Sequence, residues 1–263
     1  MDLEILAHAL EPIVRSAGTK IMAIHNQDPD VDFKSDGSPV TEADRTAEAI
    51  ILAALNQLAP DIVVISEENA ASHSLKAPYR YFLVDPLDGT KEFLKRDCKG
   101  SFTVNIALIE NRAPIMGIVY APALDRLFIG IDGKGANEKS ADTSKALSIR
   151  IPPASGALAV ASASHRDDAT NKWLAEHDIA NTVSIGSSLK FCLVAAGEAD
   201  VYPRFGPTME WDTGAGDAVL RAAGGHVTHL DNSVFLYGKP KYRNDSFIAW
   251  GGFKPIQNYE KSS

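Results

Sequence analysis

The amino-acid sequence predicts a mixed fold, with an α+β first half and an α/β second half. Three observations lead to this prediction. Apolar residues first recur at helical spacing, then form the short or alternating runs typical of strands, and finally strands and helices take turns along the chain. We place the division near residue 135, in the Gly-rich turn DGKGANE, which gives candidate domains over residues 1–135 and 136–263.

Two helices followed by a sheet are expected in the first half, because one-sided apolar spacing gives way to short apolar runs. A polar stretch over 25–40 predicts a loop or hairpin between the helices. The predicted helices are 2–24 and 41–58. The predicted strands, in a mostly antiparallel sheet, are 62–66, 80–85, 103–110, IMGIVYAP and RLFIGI.

In the second half, strands and helices are expected to alternate, which is typical of an α/β arrangement. The predicted strands are 157–162, 182–186, DVYPRF, and short runs near 226–230 and 246–250. The predicted helices are 167–177, 187–197 and the small-residue segment 212–224.

Composition limits the partners. The chain is 45% hydrophobic, enough for a sizeable core, and its formal net charge of −8 argues against a nucleic-acid polymer or an anionic membrane as partner. It has no apolar run long enough for a transmembrane segment, and its first residues lack the features of a secretory signal. Cys98 and Cys192 have no metal-ligand spacing, which favours free thiols. We therefore expect a cytoplasmic protein, and peripheral association with the inner membrane stays open.

Acidic residues stand where predicted strands end or helices begin. Glu67 follows the run IVVIS directly, Asp85 and Asp88 flank Pro86 and Leu87 after RYFLV, and Asp212 stands at the head of a helix. Ionised carboxylates this close raise one another's pKa unless a cation lies between them. Mg²⁺ prefers such oxygen ligands, and the carbonyl of Leu87 could also face a metal.

Each acidic segment also has a simpler explanation when taken alone. The hexamer DPLDGT fits a turn, and Glu67 with Glu68 fits a solvated loop. Asp212 fits a helix N-cap, and Thr41 with Asp44 resembles a capping box. Local pattern alone therefore leaves both interpretations open.

Taken together and in order, these segments resemble the inositol monophosphatase superfamily of metal-dependent phosphatases. The resemblance spans nearly the whole chain and is carried by DGSPVTEAD (36–44), SEE (66–68), DPLDGTKEF (85–93) and WDTGAG (211–216). Further segments favour its bacterial 3′(2′),5′-bisphosphate nucleotidase branch: FTVNIALI (102–109), GSSLKFCLVA (186–195) and YPRFGPT (202–208). The fold that the resemblance implies is a layered αβαβα sandwich.

The resemblance also implies roles for individual residues. Glu67, Asp85 and the carbonyl of Leu87 would bind a first Mg²⁺, and Asp85 would share a second with Asp88 and Asp212. A third, weaker ion near Glu67 would be usual. Asp44 and Thr90 would together orient and activate the attacking water.

The expected substrate is a small bisphosphate nucleotide. The residues that the resemblance assigns to substrate binding are Gly89, Thr90, His165, Gly186, Ser187, Lys190, Arg204 and Asp212. Without it, Lys190 would fit a solvated surface lysine and His165 a structural histidine. In the same way, Arg204 could pair with a surface acid.

The resemblance predicts hydrolysis of adenosine 3′,5′-bisphosphate to AMP and phosphate, with 3′-phosphoadenosine 5′-phosphosulphate as a second substrate, in sulphate assimilation. Two alternatives stay open: an inositol or sugar monophosphatase, and an inactive nucleotide- or metal-binding module. We expect a monomer or a weak dimer.

Overall fold

Helices and sheets alternate in five layers. The computed structural model describes residues 1–27, 31–33, 39–95, 100–162, 167–177 and 179–253. Within them the helices are α1 Leu3–His25, α2 Glu42–Leu58, α3 Thr90–Lys95, α4 Asp168–Glu176, α5 Leu189–Ala195 and α6 Gly214–Ala222. Short 3-10 helices lie at Ala70–Ser74, Pro122–Leu124 and Pro240–Tyr242.

The strands fall into four sheets in the described residues. In chain order they are β1 Val31–Phe33, β2 Pro39–Thr41, β3 Val63–Ser66, β4 Arg80–Asp88, β5 Thr103–Glu110, β6 Ala113–Ala121, β7 Arg126–Ile131, β8 Gly135–Lys139, β9 Ser144–Leu147, β10 Ala157–Ser162, β11 Ile179–Ile185, β12 Val201–Arg204, β13 Thr208–Met209, β14 His226–Thr228, β15 Arg243–Asn244 and β16 Phe247–Trp250.

The larger sheet has seven strands in the sequential order β3 to β9. β3 runs parallel to β4, and every later neighbour is antiparallel. Side chains alternate between its two faces, so Tyr81 and Leu83 enter one core, whereas Phe82 and Val84 enter the other. This sheet therefore separates two apolar cores.

The second sheet has five strands in the order β11-β10-β12-β16-β14. β10 is parallel to β11 and β12, and β16 is antiparallel to β12 and β14. Helices α5 and α6 pack between the two sheets, α1 and α2 cover the outer face of the larger one, and α4 covers the smaller one. The layers are thus α, β, α, β and α, the predicted sandwich.

Glycines let helix α6 lie against the larger sheet. A Cβ atom on Gly117 would come within 2.3 Å of the carbonyl oxygen of Ala215, and one on Gly130 within 2.5 Å of the Cα of Val219. This close approach matters because α6 begins two residues after Asp212, so its packing helps set where that carboxylate lies.

Most predicted elements are present with small changes at their ends. Of the loop or hairpin expected over 25–40, the structure describes the two antiparallel strands β1 and β2. β4 runs to Asp88 rather than ending at Asp85, with a shift in register between those two residues. β8 and β9 carry the larger sheet to Leu147, beyond the predicted division near 135, which stays a prediction. No helix in the described ranges is long and apolar enough to cross a membrane.

Candidate active site

A cavity of about 710 Å³ opens where the two sheets meet α3, α5 and α6. Predicted site residues that line it are Glu67, Asp85, Leu87, Asp88, Gly89, Thr90, Ser187, Lys190, Arg204 and Asp212. Asp44 reaches the cavity through Thr90, Gly186 lies directly before Ser187, and His165 falls outside the described residues. Both halves of the chain thus contribute to one cavity.

Three carboxylates converge at one end of the cavity. β3 and β4 are parallel, with Ser66 opposite Val84, so the next residues, Glu67 just after β3 and Asp85 within β4, lie side by side. Asp212 joins them from the segment before α6. One carboxylate oxygen from each lies within 4.8 Å of the others. The structure therefore brings three of the predicted metal ligands together.

The electrostatics of this acid cluster fit a cation. Burial, followed by repulsion from neighbouring acids, raises the pKa of Asp85 and of Asp212 well above the ordinary value. Burial also raises the pKa of Asp88 to about 6, although Lys190 and the backbone of Ser188 oppose the change. Buried carboxylates that repel one another form a set of hard oxygen donors, which suits a divalent metal ion.

Asp88 lies at the side of the acid cluster rather than within it. The register shift in β4 turns its side chain toward α5, where Oδ2 accepts a hydrogen bond of 2.5 Å from the backbone N–H of Ser188. Asp88 lines the same cavity as the three clustered acids. It therefore joins the acid cluster to the turn before α5, and its predicted role as a metal ligand stays a prediction.

Asp44 serves as a helix cap and also as a partner of Thr90. Its Oδ2 accepts hydrogen bonds of 2.7 Å from both the N–H and the hydroxyl of Thr41, which completes the capping box of α2. Its Oδ1 lies 3.3 Å from the hydroxyl of Thr90. The capping box predicted for Thr41 and Asp44 is therefore present, and the other oxygen of the same carboxylate contacts Thr90, whereas the role of Asp44 in activating water stays a prediction.

Thr90 is held at the start of α3. Gly89 precedes it with φ of 91°, a left-handed conformation that glycine adopts without steric cost. The Thr90 hydroxyl lies 3.3 Å from both the Asp44 carboxylate and the carbonyl oxygen of Leu87. It faces the cavity next to the acid cluster, where a hydroxyl can accept a hydrogen bond from water and pass a proton to Asp44.

Lys190 is buried, which corrects the interpretation as a solvated lysine. Only 4% of the residue is exposed. Its ammonium donates to the carbonyl oxygens of Ser187 and Ile185 and lies 5.1 Å from the centre of the Tyr202 ring. Burial lowers the pKa of Lys190 to about 8, against the attraction of Asp88. A buried cation in this position suits an anionic ligand.

The turn before α5 is built by close packing. A Cβ atom on Gly186 would lie 2.6 Å from the Cγ of Glu92, and Ser187 adopts a left-handed φ of 54°. The Ser188 hydroxyl bonds to Asn105 at 2.6 Å and to Thr103 at 2.9 Å. Sequence reasoning noted the segment FTVNIALI but not these contacts, since only the fold brings β5 to α5.

Arg204 also forms part of the wall. It is 8% exposed, and its guanidinium donates to the carbonyl oxygens of Gly206 and Pro207 at 3.2 Å each. These bonds shape the loop between β12 and β13. These two hydrogen bonds of Arg204 thus go to backbone carbonyls in the wall of the cavity.

Asp212 is positioned by the segments around it. Its Oδ2 accepts a hydrogen bond of 2.8 Å from the N–H of Met209. Trp211 is buried and its ring stacks on His73 at 4.6 Å, while His73 lies within hydrogen-bond distance of the Ser66 carbonyl. Through His73, Trp211 thus connects the segment before Asp212 to the end of β3, next to Glu67.

This layered fold and its acid cluster agree with the predicted family. The chain belongs to the inositol monophosphatase family, whose family model matches residues 2–255. It is similar to the 3′(2′),5′-bisphosphate nucleotidase CysQ of Salmonella typhimurium, with 47% identity over 228 residues that cover 86% of this chain and 91% of the relative. CysQ of Escherichia coli K12 is also 47% identical, over 82% of this chain and 87% of that protein.

Solved structures give the same result. The crystal structure of CysQ from Bacteroides thetaiotaomicron is 39% identical and superposes with a TM-score of 0.79, covering 94% of this chain and 97% of that one. An inositol monophosphatase from Thermotoga maritima is 24% identical with a TM-score of 0.76, over 95% of this chain and 92% of that one, and this likeness concerns the fold alone. The predicted family and the layered sandwich are confirmed.

Proposed function

We propose that this chain is a phosphoric monoester hydrolase that removes the 3′-phosphate of adenosine 3′,5′-bisphosphate, giving AMP and phosphate. Its sulphated analogue, 3′-phosphoadenosine 5′-phosphosulphate, is a second substrate. One observation carries the proposal: a single cavity has an acid cluster at one end and the cations Lys190 and Arg204 along its walls. The similarity to relatives named as bisphosphate nucleotidases supports the choice of substrate.

The acid cluster would hold the metal of the reaction. We propose two or three Mg²⁺ ions, bound by the carboxylates of Glu67, Asp85, Asp88 and Asp212 and by the carbonyl of Leu87. When bound, Mg²⁺ neutralises charge on the phosphoryl oxygens and makes a bound water more acidic. The oxygen donors and mutual repulsion of these acids support this assignment.

Asp44 and Thr90 would activate the attacking water. The Thr90 hydroxyl can accept a hydrogen bond from that water while it donates its own proton toward Asp44, 3.3 Å away. Burial raises the pKa of Asp44, which makes it a better proton acceptor than an exposed aspartate. The capping box holds the carboxylate in place, so the geometry is ready before substrate binds.

The remaining wall would bind the nucleotide. The N–H groups near Gly89 and Thr90 would face the scissile phosphate, and the turn at Gly186 and Ser187 would contact the nucleoside. Lys190 and Arg204 would supply positive charge for the second phosphate. Asp212 and His165 are the other residues predicted to bind the substrate. The enzyme would act in the cytoplasm as a monomer or weak dimer, and would remove a by-product of sulphate assimilation.

A phosphate-release screen tests the proposal. The purified chain is assayed with Mg²⁺ and with EDTA on the 3′,5′-bisphosphate, its sulphated analogue, inositol phosphate and fructose bisphosphate. We expect the two nucleotides to have the highest kcat/KM and EDTA to abolish release. A preference for inositol phosphate or fructose bisphosphate would support a sugar monophosphatase, and no release from any compound would support an inactive binding module.

A further inference from the structure

An exposed cationic side chain lies on the wall of the cavity. Arg243 lines the cavity and is exposed. Across the residues that the structure describes, its guanidinium takes part in no hydrogen bond, ion pair or ring contact. Lys190 and Arg204 differ, because both are buried and donate to backbone carbonyls. The donors of Arg243 are therefore available to a ligand.

The direction of this side chain follows from the strand pairing. Arg243 lies in β15, directly opposite Met209 of the antiparallel strand β13. Directly opposed residues point to the same face, and Met209 also lines the cavity. Asn244, the neighbour within β15, is buried, as alternation along a strand predicts, and Tyr242, the last residue of the preceding 3-10 helix, is buried too. Arg243 thus faces the cavity while both its neighbours face the core.

Both neighbours also hold the backbone firmly. The Tyr242 hydroxyl donates to the carbonyl of Leu75 at 2.8 Å, and the Tyr242 carbonyl accepts from the N–H of Glu210 at 2.7 Å. The Asn244 amide donates to the Met209 carbonyl at 2.8 Å. A ligand that binds the guanidinium therefore has to order only the side chain, which lowers the entropy cost of the contact.

We propose that Arg243 binds the anionic group of the substrate that is not hydrolysed, a phosphoryl or a sulfonyl group. Met209 connects the acid cluster to Arg243, because its N–H donates a hydrogen bond to Asp212 and its partner on the neighbouring strand is Arg243. A substrate whose scissile phosphate lies at the acid cluster can then extend its second anion along the wall. The planar guanidinium matches such an oxyanion with two parallel hydrogen bonds.

This inference rests on the proposed function and refines its specificity. Three substrates separate the possible contacts: adenosine 3′,5′-bisphosphate, the sulphated analogue, and adenosine 3′-monophosphate, which lacks the second anion. We expect Arg243→Ala to raise KM for at least one of the first two about tenfold, a typical effect of one charge-assisted contact. The monophosphate should change less than about twofold. Arg243→Lys keeps the positive charge but not the two parallel donors of the guanidinium, so its KM should lie between those of wild type and Arg243→Ala.

The pattern of loss identifies the anion. Equal loss for the bisphosphate and the sulphated analogue assigns the phosphoryl group on the 5′ oxygen, whereas loss for the sulphated analogue alone assigns the sulfonyl group. Lys241→Ala is the matched control, because Lys241 is an exposed cation two positions away that does not line the cavity. Equal changes for all three substrates, or none, would overturn the assignment.

A binding experiment separates this inference from the proposed function. Calorimetry with Mg²⁺ compares AMP, which keeps a 5′-phosphate, with adenosine, which has none. If the contact is to the phosphoryl group, Arg243→Ala should weaken the binding of AMP about tenfold and leave the binding of adenosine unchanged. If the contact is to the sulfonyl group, the affinity for both compounds should stay unchanged. A wild-type enzyme that hydrolyses none of the three substrates would end the proposed function, and with it this inference. An active enzyme whose Arg243 variants keep wild-type selectivity would overturn the inference alone.

Discussion

Asp88→Asn tests how much burial and the neighbouring acids destabilise a charged carboxylate in this cavity. Burial, helped by the charges of Glu67 and Glu92, raises the pKa of Asp88 from 3.8 to about 6, and Lys190 only partly opposes this. The folded protein then binds more protons than the unfolded chain between those pH values. Consequently, the stability of the metal-free protein should fall as the pH rises from about 4 to about 6 and stay low above that range.

The size of the effect follows from the same shift. A change of about 2 pKa units corresponds to about 3 kcal/mol at about 1.36 kcal/mol per unit. Since part of the Asp88 side chain is exposed, solvent screening reduces this free energy. We therefore expect the charge to lower the free energy of unfolding by about 1–2 kcal/mol. Asparagine has nearly the same shape and can still accept the Ser188 N–H, so the substitution chiefly removes charge.

Urea unfolding at several pH values, in EDTA and in excess Mg²⁺, measures this. In EDTA at pH 7 the Asp88→Asn variant should be more stable than wild type by about 1–2 kcal/mol, with a flatter pH profile. Its additional stabilisation by Mg²⁺ should be smaller, because stabilisation by a ligand of the folded state grows with the logarithm of its affinity. The matched control is Asp245→Asn, an exposed acid outside the cavity. A variant less stable than wild type in EDTA would show that the charge of Asp88 does not destabilise the metal-free protein.

Three further predictions concern the water, the nucleotide and the core. Thr90→Val should lower kcat at saturating Mg²⁺ about a hundredfold or more in a phosphate-release assay, while Thr90→Ser keeps most activity because its hydroxyl remains; equal losses would argue against a role for the hydroxyl. Lys190→Ala should raise KM for the bisphosphate far more than for a small monophosphate, and equal effects would count against its assignment to the second phosphate. Gly117→Ala should lower the free energy of unfolding by about 1–3 kcal/mol, since its Cβ would lie 2.3 Å from a carbonyl oxygen. Gly206→Ala, with its nearest contact at 3.6 Å, is the control, and equal stabilities would refute the packing argument.

Regular periodicity was enough to predict most of the fold. The strand expected over 157–162 is present as β10 with the same bounds, and the helix expected over 2–24 is α1, shifted by one residue at each end. β8 and β9 were missed because their sequences are polar and rich in turn residues, so only the pairing of β8 with β7 and of β9 with β8 makes them strands. Similarly, β4 passes its Pro-containing turn because a register shift keeps it paired with β5.

The candidate site was predictable as a list of residues but not as a geometry. Ordered motifs identified Glu67, Asp85 and Asp212, which the structure brings within 4.8 Å. Nothing local predicts that Lys190 is buried, because this requires the second sheet to cover α5. The orientation of Arg243 is likewise set by its pairing with a strand that ends at Met209, far away in sequence.

Phosphorus NMR of the reaction with adenosine 3′,5′-bisphosphate distinguishes the two phosphates and so shows which of them is hydrolysed. With Mg²⁺, we expect the 3′-phosphorus signal to disappear, inorganic phosphate to appear at the same rate, and the 5′-phosphorus signal to remain as AMP. EDTA or the Asp85→Asn substitution should stop the reaction. Loss of the 5′-phosphorus signal, or undiminished hydrolysis in EDTA, would contradict a metal-dependent 3′-phosphatase built on this acid cluster.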